Sequence, residues 1–135
     1  MDMESRKLDW HQVVFPGVQE YTDMCEGPNS LIYGIADRKQ FFVFDAAKRV
    51  VVYARDVSAD LGLTPLQQGP RVFVHGPQGE TYAIFAKGIV LIEPETYALR
   101  LLAESPAPID AGGDYLDGRI YFASGSHLYS YEVKR

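Results

Sequence analysis

A motif written three times governs what this chain can fold into. Tyr33, Tyr82 and Tyr121 lie 49 and 39 residues apart, in "SLIYGIADRKQFFVFD", "ETYAIFAKGIVLIEP" and "GRIYFASGSHLYSYE". Each copy is a short apolar run, a polar or Gly-containing break, and a second apolar run ending in an acid. The acids Asp45, Glu93 and Glu132 follow their tyrosines by 12, 11 and 11 residues. Self-similarity at about 40–50 residues marks a repeat architecture, in which each copy is one supersecondary unit that buries its apolar face against the next.

The contents of the unit come from what flanks the tyrosine. Upstream stands a turn: Gly27-Pro28-Asn29-Ser30, Gly76-Pro77-Gln78-Gly79, then Asp117-Gly118. Gly accepts positive φ and Pro fixes φ, so these read as chain reversals. Before each turn lies an extended segment, "YTDMCE", "PRVFVH" or "DAGGDYL". After the first two acids, "AAK" and "PET" lead into "RVVVYARDV" and "YALRLLAES". The unit is therefore a meander of four short strands, with "FFVF" and "VVVY" expected to be buried on both faces. No segment has a sustained helical period; the best candidate, "VSADLGLTP", is closed by Gly62 and Pro65.

Composition agrees with sheet. Of 135 residues, 47% are hydrophobic, and 9 Tyr and 7 Phe supply the flat side chains that pack between strands. This is one domain's worth of chain. A net charge of −5, with basic residues grouped no further than pairs such as Arg6-Lys7, argues against nucleic acid as partner, because phosphate recognition needs clustered Lys and Arg. The single cysteine, Cys25, excludes an internal disulfide and a Cys-rich zinc site, and reads as a small buried hydrophobe. "MDMESRKLDWHQVV" has no signal-peptide core, and no run of about 20 apolar residues offers a membrane span. The expectation is a soluble chain, cytoplasmic if Met1 is a natural start.

The third copy ends before a fourth strand, and "SRKLDWHQVVFPG" has the pattern of one. The expected fold is all-β, a β-propeller with three four-stranded blades: 20–57, 70–104, and 110–133 completed by a strand at 8–14. "GPxG-x-h-Y" followed by "hVhhD/EP" resembles the blade repeats of streptogramin-lyase-like, gluconolactonase-like and quinoprotein-like propellers, over residues 20 to 132. Asn29-Ser30 and Gln78-Gly79 stand where that pattern has Asp-Gly, and the third copy lacks Gly-Pro. A propeller closes with 4–8 blades, so three leave two unpaired faces. The resemblance implies either a second copy forming a six-bladed homodimer, with the strand at Leu8–Val14 exchanged between chains, or the missing half of a longer propeller.

Seven residues before each tyrosine stand Glu26, His75 and Asp114; eleven before stand Thr22, Arg71 and Asp110. The first strand of a blade is innermost, which would set these six around a central channel. Carboxylates, an imidazole and a guanidinium there could bind a small polar ligand or a cation such as zinc, calcium or manganese, and His with carboxylate can do acid–base work. Equally, channel positions are polar because they face water. The strand-to-strand loops Ala36–Lys39 and Ser124–His127, and the links Ser58–Gly69 and Ser105–Ile109 with Gln67 and Gln68, are further places for binding groups. Trp10 with nearby tyrosines could stack a sugar; His11 and His127 have no evident metal partner. Two functions are expected on this basis: a non-catalytic binding or assembly module, or a metal-dependent lyase or lactonase-like enzyme using His75.

Overall fold

The computed structural model describes residues 17–65 and 72–133. Expectations for the strand at 8–14, Trp10, His11, Gln67, Gln68 and Arg71 lie outside the described residues. The described residues are all-β, with eleven strands and one helical turn among them. The strands are β1 (Tyr21–Glu26), β2 (Leu31–Ala36), β3 (Gln40–Asp45), β4 (Val50–Asp56), β5 (Phe73–His75), β6 (Thr81–Ile84), β7 (Gly88–Ile92), β8 (Leu99–Glu104), β9 (Ala111–Leu116), β10 (Arg119–Ser124) and β11 (His127–Glu132). The helical turn, α1 (Ser58–Leu61), follows β4. Each repeat copy forms its own antiparallel sheet in chain order: β1-β2-β3-β4 (sheet 1), β5-β6-β7-β8 (sheet 2) and β9-β10-β11 (sheet 3).

The turns explain the repeated Gly-Pro differently from the expectation. Positive φ falls on Asn29 (56°) and Ser30 (65°) in the first copy and on Gly79 (85°) in the second, not on the glycine before proline. Gly27 is small for another reason: a Cβ there would sit 3.0 Å from the Tyr33 ring. The glycine lets the turn fold down over the anchoring tyrosine. Copy three uses a two-residue reversal at Asp117 and Gly118, both left-handed, which suits a tight hairpin. The β3–β4 and β7–β8 connections are alike. In each, the amide four residues on donates back to the carbonyl of the acid: Arg49 to Asp45 at 2.7 Å, and Tyr97 to Glu93 at 2.8 Å.

Side-chain alternation along β2 and β3 sends every residue into one of two packed layers. Leu31, Tyr33, Ile35, Phe41 and Val43 face sheet 2, meeting Ala83, Phe85, Val90 and Ile92. The other face of sheet 2, with Val74, Tyr82, Ile84 and Ile89, meets Ile120 and Phe122 of sheet 3. Ala36, Phe42 and Phe44 fill the far side of sheet 1 beneath Val18 and Tyr21. The "FFVF" of β3 is buried on both faces as expected. The "VVVY" of β4 is not: Val50 and Val52 are exposed and Val51 and Tyr53 half-buried, because β4 is an edge strand with a neighbour on one side only among the described residues.

The order is thus sheet 1, sheet 2, sheet 3, each carrying a face named here for its anchoring tyrosine. Tyr33 is 1% exposed and Tyr82 3%, each under the reverse face of the next sheet. The first strands adjoin, β1 beside β5 and β5 beside β9. Links join the far hairpins: Thr64 N donates to Arg38 O (3.0 Å), Ala86 N to Leu63 O (2.8 Å) and Ile109 N to Ala86 O (3.0 Å). Burying a core Val, Leu, Ile or Phe contributes about 1.5–3 kcal/mol, so these two interlayer cores supply most of what holds the sheets in sequence.

Candidate functional site

The first strands carry the polar positions singled out in the sequence, and the structure separates them by register. Glu26 lies opposite Ile32 and His75 opposite Thr81, in both cases the residue before the anchoring tyrosine. Asp114 lies opposite Tyr121 itself. The two-residue turn of copy three shortens the hairpin, so counting back seven residues overshoots by one. Asp114 is therefore the counterpart of Cys25 and Val74, which pair with Tyr33 and Tyr82. The residue matching Glu26 and His75 is Tyr115, opposite Ile120.

Glu26 and His75 do meet, through a structural bond. His75 Nε2 donates to the Glu26 backbone carbonyl at 2.9 Å, tying β5 to β1. One turn of pleat along, Asp23 Oδ2 accepts from the amides of Val72 (3.0 Å) and Phe73 (3.4 Å), a second tie between the same strands. A carboxylate accepting from amides makes a charge-assisted bond, stronger than a neutral one. Nothing in the repeat count pointed to Asp23. Its position, an acid on the face that Cys25 and Tyr33 share, was the available signal.

Thr22 and Asp110, eleven residues before their tyrosines, have a shared role. Thr22 Oγ1 accepts from the Arg38 amide at 2.9 Å, and Asp110 Oδ2 accepts from the Gly125 amide at 2.9 Å. Each latches the start of a first strand to the tip of the second hairpin in its own sheet. Those tips are the loops Ala36–Lys39 and Ser124–His127. Arg38, at φ 61°, sends its guanidinium to the Thr64 carbonyl through Nε (3.1 Å) and Nη2 (2.7 Å). Ser124 Oγ donates to Pro108 O at 2.6 Å. Asp37 Oδ1 accepts from the amides of Gln19 and Glu20, both at 3.0 Å. These loops are fastened to the links by the Arg38 and Ser124 side chains. His127 is exposed and leans on the Tyr129 ring.

Two hollows touch the predicted positions. One of about 470 Å³ is lined by Met24, Cys25, Glu26, Ser30 and Ile32, at the β1–β2 turn end of sheet 1. The other, about 350 Å³, lies on sheet 3 among Ala111, Asp114, Tyr121, Ala123 and Leu128. Cys25 is half-buried and packs on the core between sheets 1 and 2, as its hydrophobic reading required in kind though not in degree. Burial, with Asp23 and Glu26 nearby, pushes its thiol up to about 12, which leaves it protonated and inert near neutral pH. Among the described residues no three His, Cys, Asp or Glu side chains gather as a metal site.

Chemically, then, the first strands offer neighbouring backbone ties and exposed carboxylates, and among the described residues no nucleophile is hydrogen-bonded to a base on these strands. Comparison with known proteins adds no family: no protein-family model matches the chain, and no curated protein matches it significantly.

Proposed function

We propose that this chain is a β-propeller blade module with a non-catalytic binding or assembly role, contributing three blades to a ring that further blades complete. One observation carries this reading. The tyrosine face of each of the first two sheets packs under the reverse face of the next, while the first strands adjoin in the order β1, β5, β9. Successive sheets that repeat one face-to-face relation about a line of adjoining inner strands are the construction of a propeller.

In this reading Glu26, His75 and Asp114 border the channel and are polar because water reaches them. His75 and Asp23 hold blade to blade, and Thr22 and Asp110 hold each inner strand to its hairpin. Such uses leave the lyase or lactonase-like alternative without a supporting contact. Metal analysis tests the choice, comparing the protein with a His75→Gln, Glu26→Gln variant that keeps a side-chain donor at position 75. The module reading expects the same substoichiometric metal in both. Stoichiometric metal in the parent, lost in the variant, would overturn it in favour of a metalloenzyme.

A further inference from the structure

The two ends of the stack are unequal. On sheet 3 no described element covers the tyrosine face: Leu128 is 74% exposed and Leu116 60%. A hollow of about 350 Å³ lies on this face toward its Ala111, Ala123 and Leu128 end. Arg119, Ser130 and Glu132 share this face with Tyr121 by register and supply polar groups beside the apolar patch. An exposed apolar patch bordered by polar groups marks a surface made for association.

The stack itself says what kind of surface fits there. Both other tyrosine faces are covered by the reverse face of a sheet. Of the three reverse faces in a chain, those of sheets 2 and 3 are already used internally. That of sheet 1 is partly covered within the chain, Phe42 and Phe44 lying buried beneath Val18 and Tyr21, and is open at the margin formed by its first strand, where Met24 is 56% exposed.

We infer that the tyrosine face of sheet 3 docks the inner, Met24 end of the reverse face of sheet 1 from a second copy of this chain; the inference rests on the propeller reading. The register names the contact. Cys25, opposite Tyr33, and Phe73, opposite Ala83, both pack on the core between sheets 1 and 2. Asp114 is the counterpart of Cys25, and Met24, opposite Gly34, is the counterpart of Phe73. Asp114 of one copy therefore lies against Met24 of the other. A two-fold axis makes this contact twice and closes the assembly at two chains.

The test uses full-length chains in a Cys25→Ala background. Asp114→Cys chains are mixed with Met24→Cys chains and treated with a short bismaleimide. As an internal standard, a Glu26→Cys, His75→Cys double variant is cross-linked within one chain, where the two residues are already joined at 2.9 Å. The expected result is a cross-linked dimer from the mixture at least tenfold above either single variant alone, reduced to that background by adding Leu128→Asp to the Asp114→Cys chain. No dimer from the mixture, with the internal standard closing normally, overturns the second copy as occupant and leaves the stack standing. Failure of the internal standard as well overturns the propeller reading beneath it. Dimer from Asp114→Cys chains alone overturns the proposed pairing in favour of two sheet 3 faces meeting each other.

Discussion

Substituting Gly34 by Ala probes the packing at the centre of sheet 1. Gly34 lies opposite Phe42, whose ring covers it; a Cβ at position 34 would run into Cζ, Cε1 and Cε2 of that ring. Phe42 is 1% exposed and has Tyr21 edge-on at 5.7 Å, so its ring has little room to swing away. Overpacking of this kind costs about 1–3 kcal/mol. Against it stands a gain of roughly 0.5–1 kcal/mol from replacing glycine within a strand. A net loss of about 1–2 kcal/mol is expected, read from urea unfolding followed by far-UV circular dichroism with an unchanged m value. Phe42→Leu removes the obstructing ring. In that background Gly34→Ala is expected to cost nothing or to stabilise by up to about 0.5 kcal/mol, a coupling of about 1–2 kcal/mol in the double-mutant cycle. An equal cost of Gly34→Ala in both backgrounds would refute the packing.

Three further perturbations follow from single contacts. Thr22→Val removes the acceptor for the Arg38 amide and is expected to lose about 1 kcal/mol in the same urea assay, while Thr22→Ser retains most of it. Thr64 Oγ1 is buried without a hydrogen-bond partner among the described residues, so the near-isosteric Thr64→Val is expected to be neutral or to stabilise by about 1 kcal/mol; a clear loss would show that the hydroxyl is satisfied. Asp56 accepts from Ser58 Oγ (2.7 Å) and Ser58 N (2.9 Å), which, with Lys39 nearby, holds its carboxyl below the usual range. A depressed folded value means that its stabilisation is present above the unfolded value and is lost as pH falls through the folded one. Asp56→Asn is therefore expected to flatten slightly the loss of stability below about pH 4.

Much of this fold was legible in the spacing of three tyrosines. The turns and acids around Tyr33, Tyr82 and Tyr121 delimit strands that the structure places where the meander required, since period-two patterning and turn residues are local properties of the chain. What the spacing could not carry was register. Copy three reverses in two residues at Asp117-Gly118, which moves Asp114 one place along and onto the opposite face from Tyr115. Constant offsets from the tyrosine therefore grouped residues that do not correspond. Edge status was hidden for the same reason: "VVVY" has the composition of a central strand, and only the pairing shows that it lies at a margin among the described residues.

The candidate site was read through the same offsets. Thr22 and Asp110 were correctly matched to each other, but their partners are the amides of Arg38 and Gly125, which lie 16 and 15 residues ahead. Such a bond depends on how a hairpin tip curls back and leaves no mark in residue type. Asp23, which ties β1 to β5, sat outside the repeat count because its counterpart opposite Ala123 is Ala111.

The layer order is therefore the point on which the account turns, and methyl–methyl nuclear Overhauser contacts measure it directly. Contacts are expected from Ile35 and Val43 to Val90 and Ile92, and from Ile84 and Ile89 to Ile120, with sheet 2 always between the other two. Direct contacts from Ile35 or Val43 to Ile120 would contradict the order of the stack and the propeller reading with it.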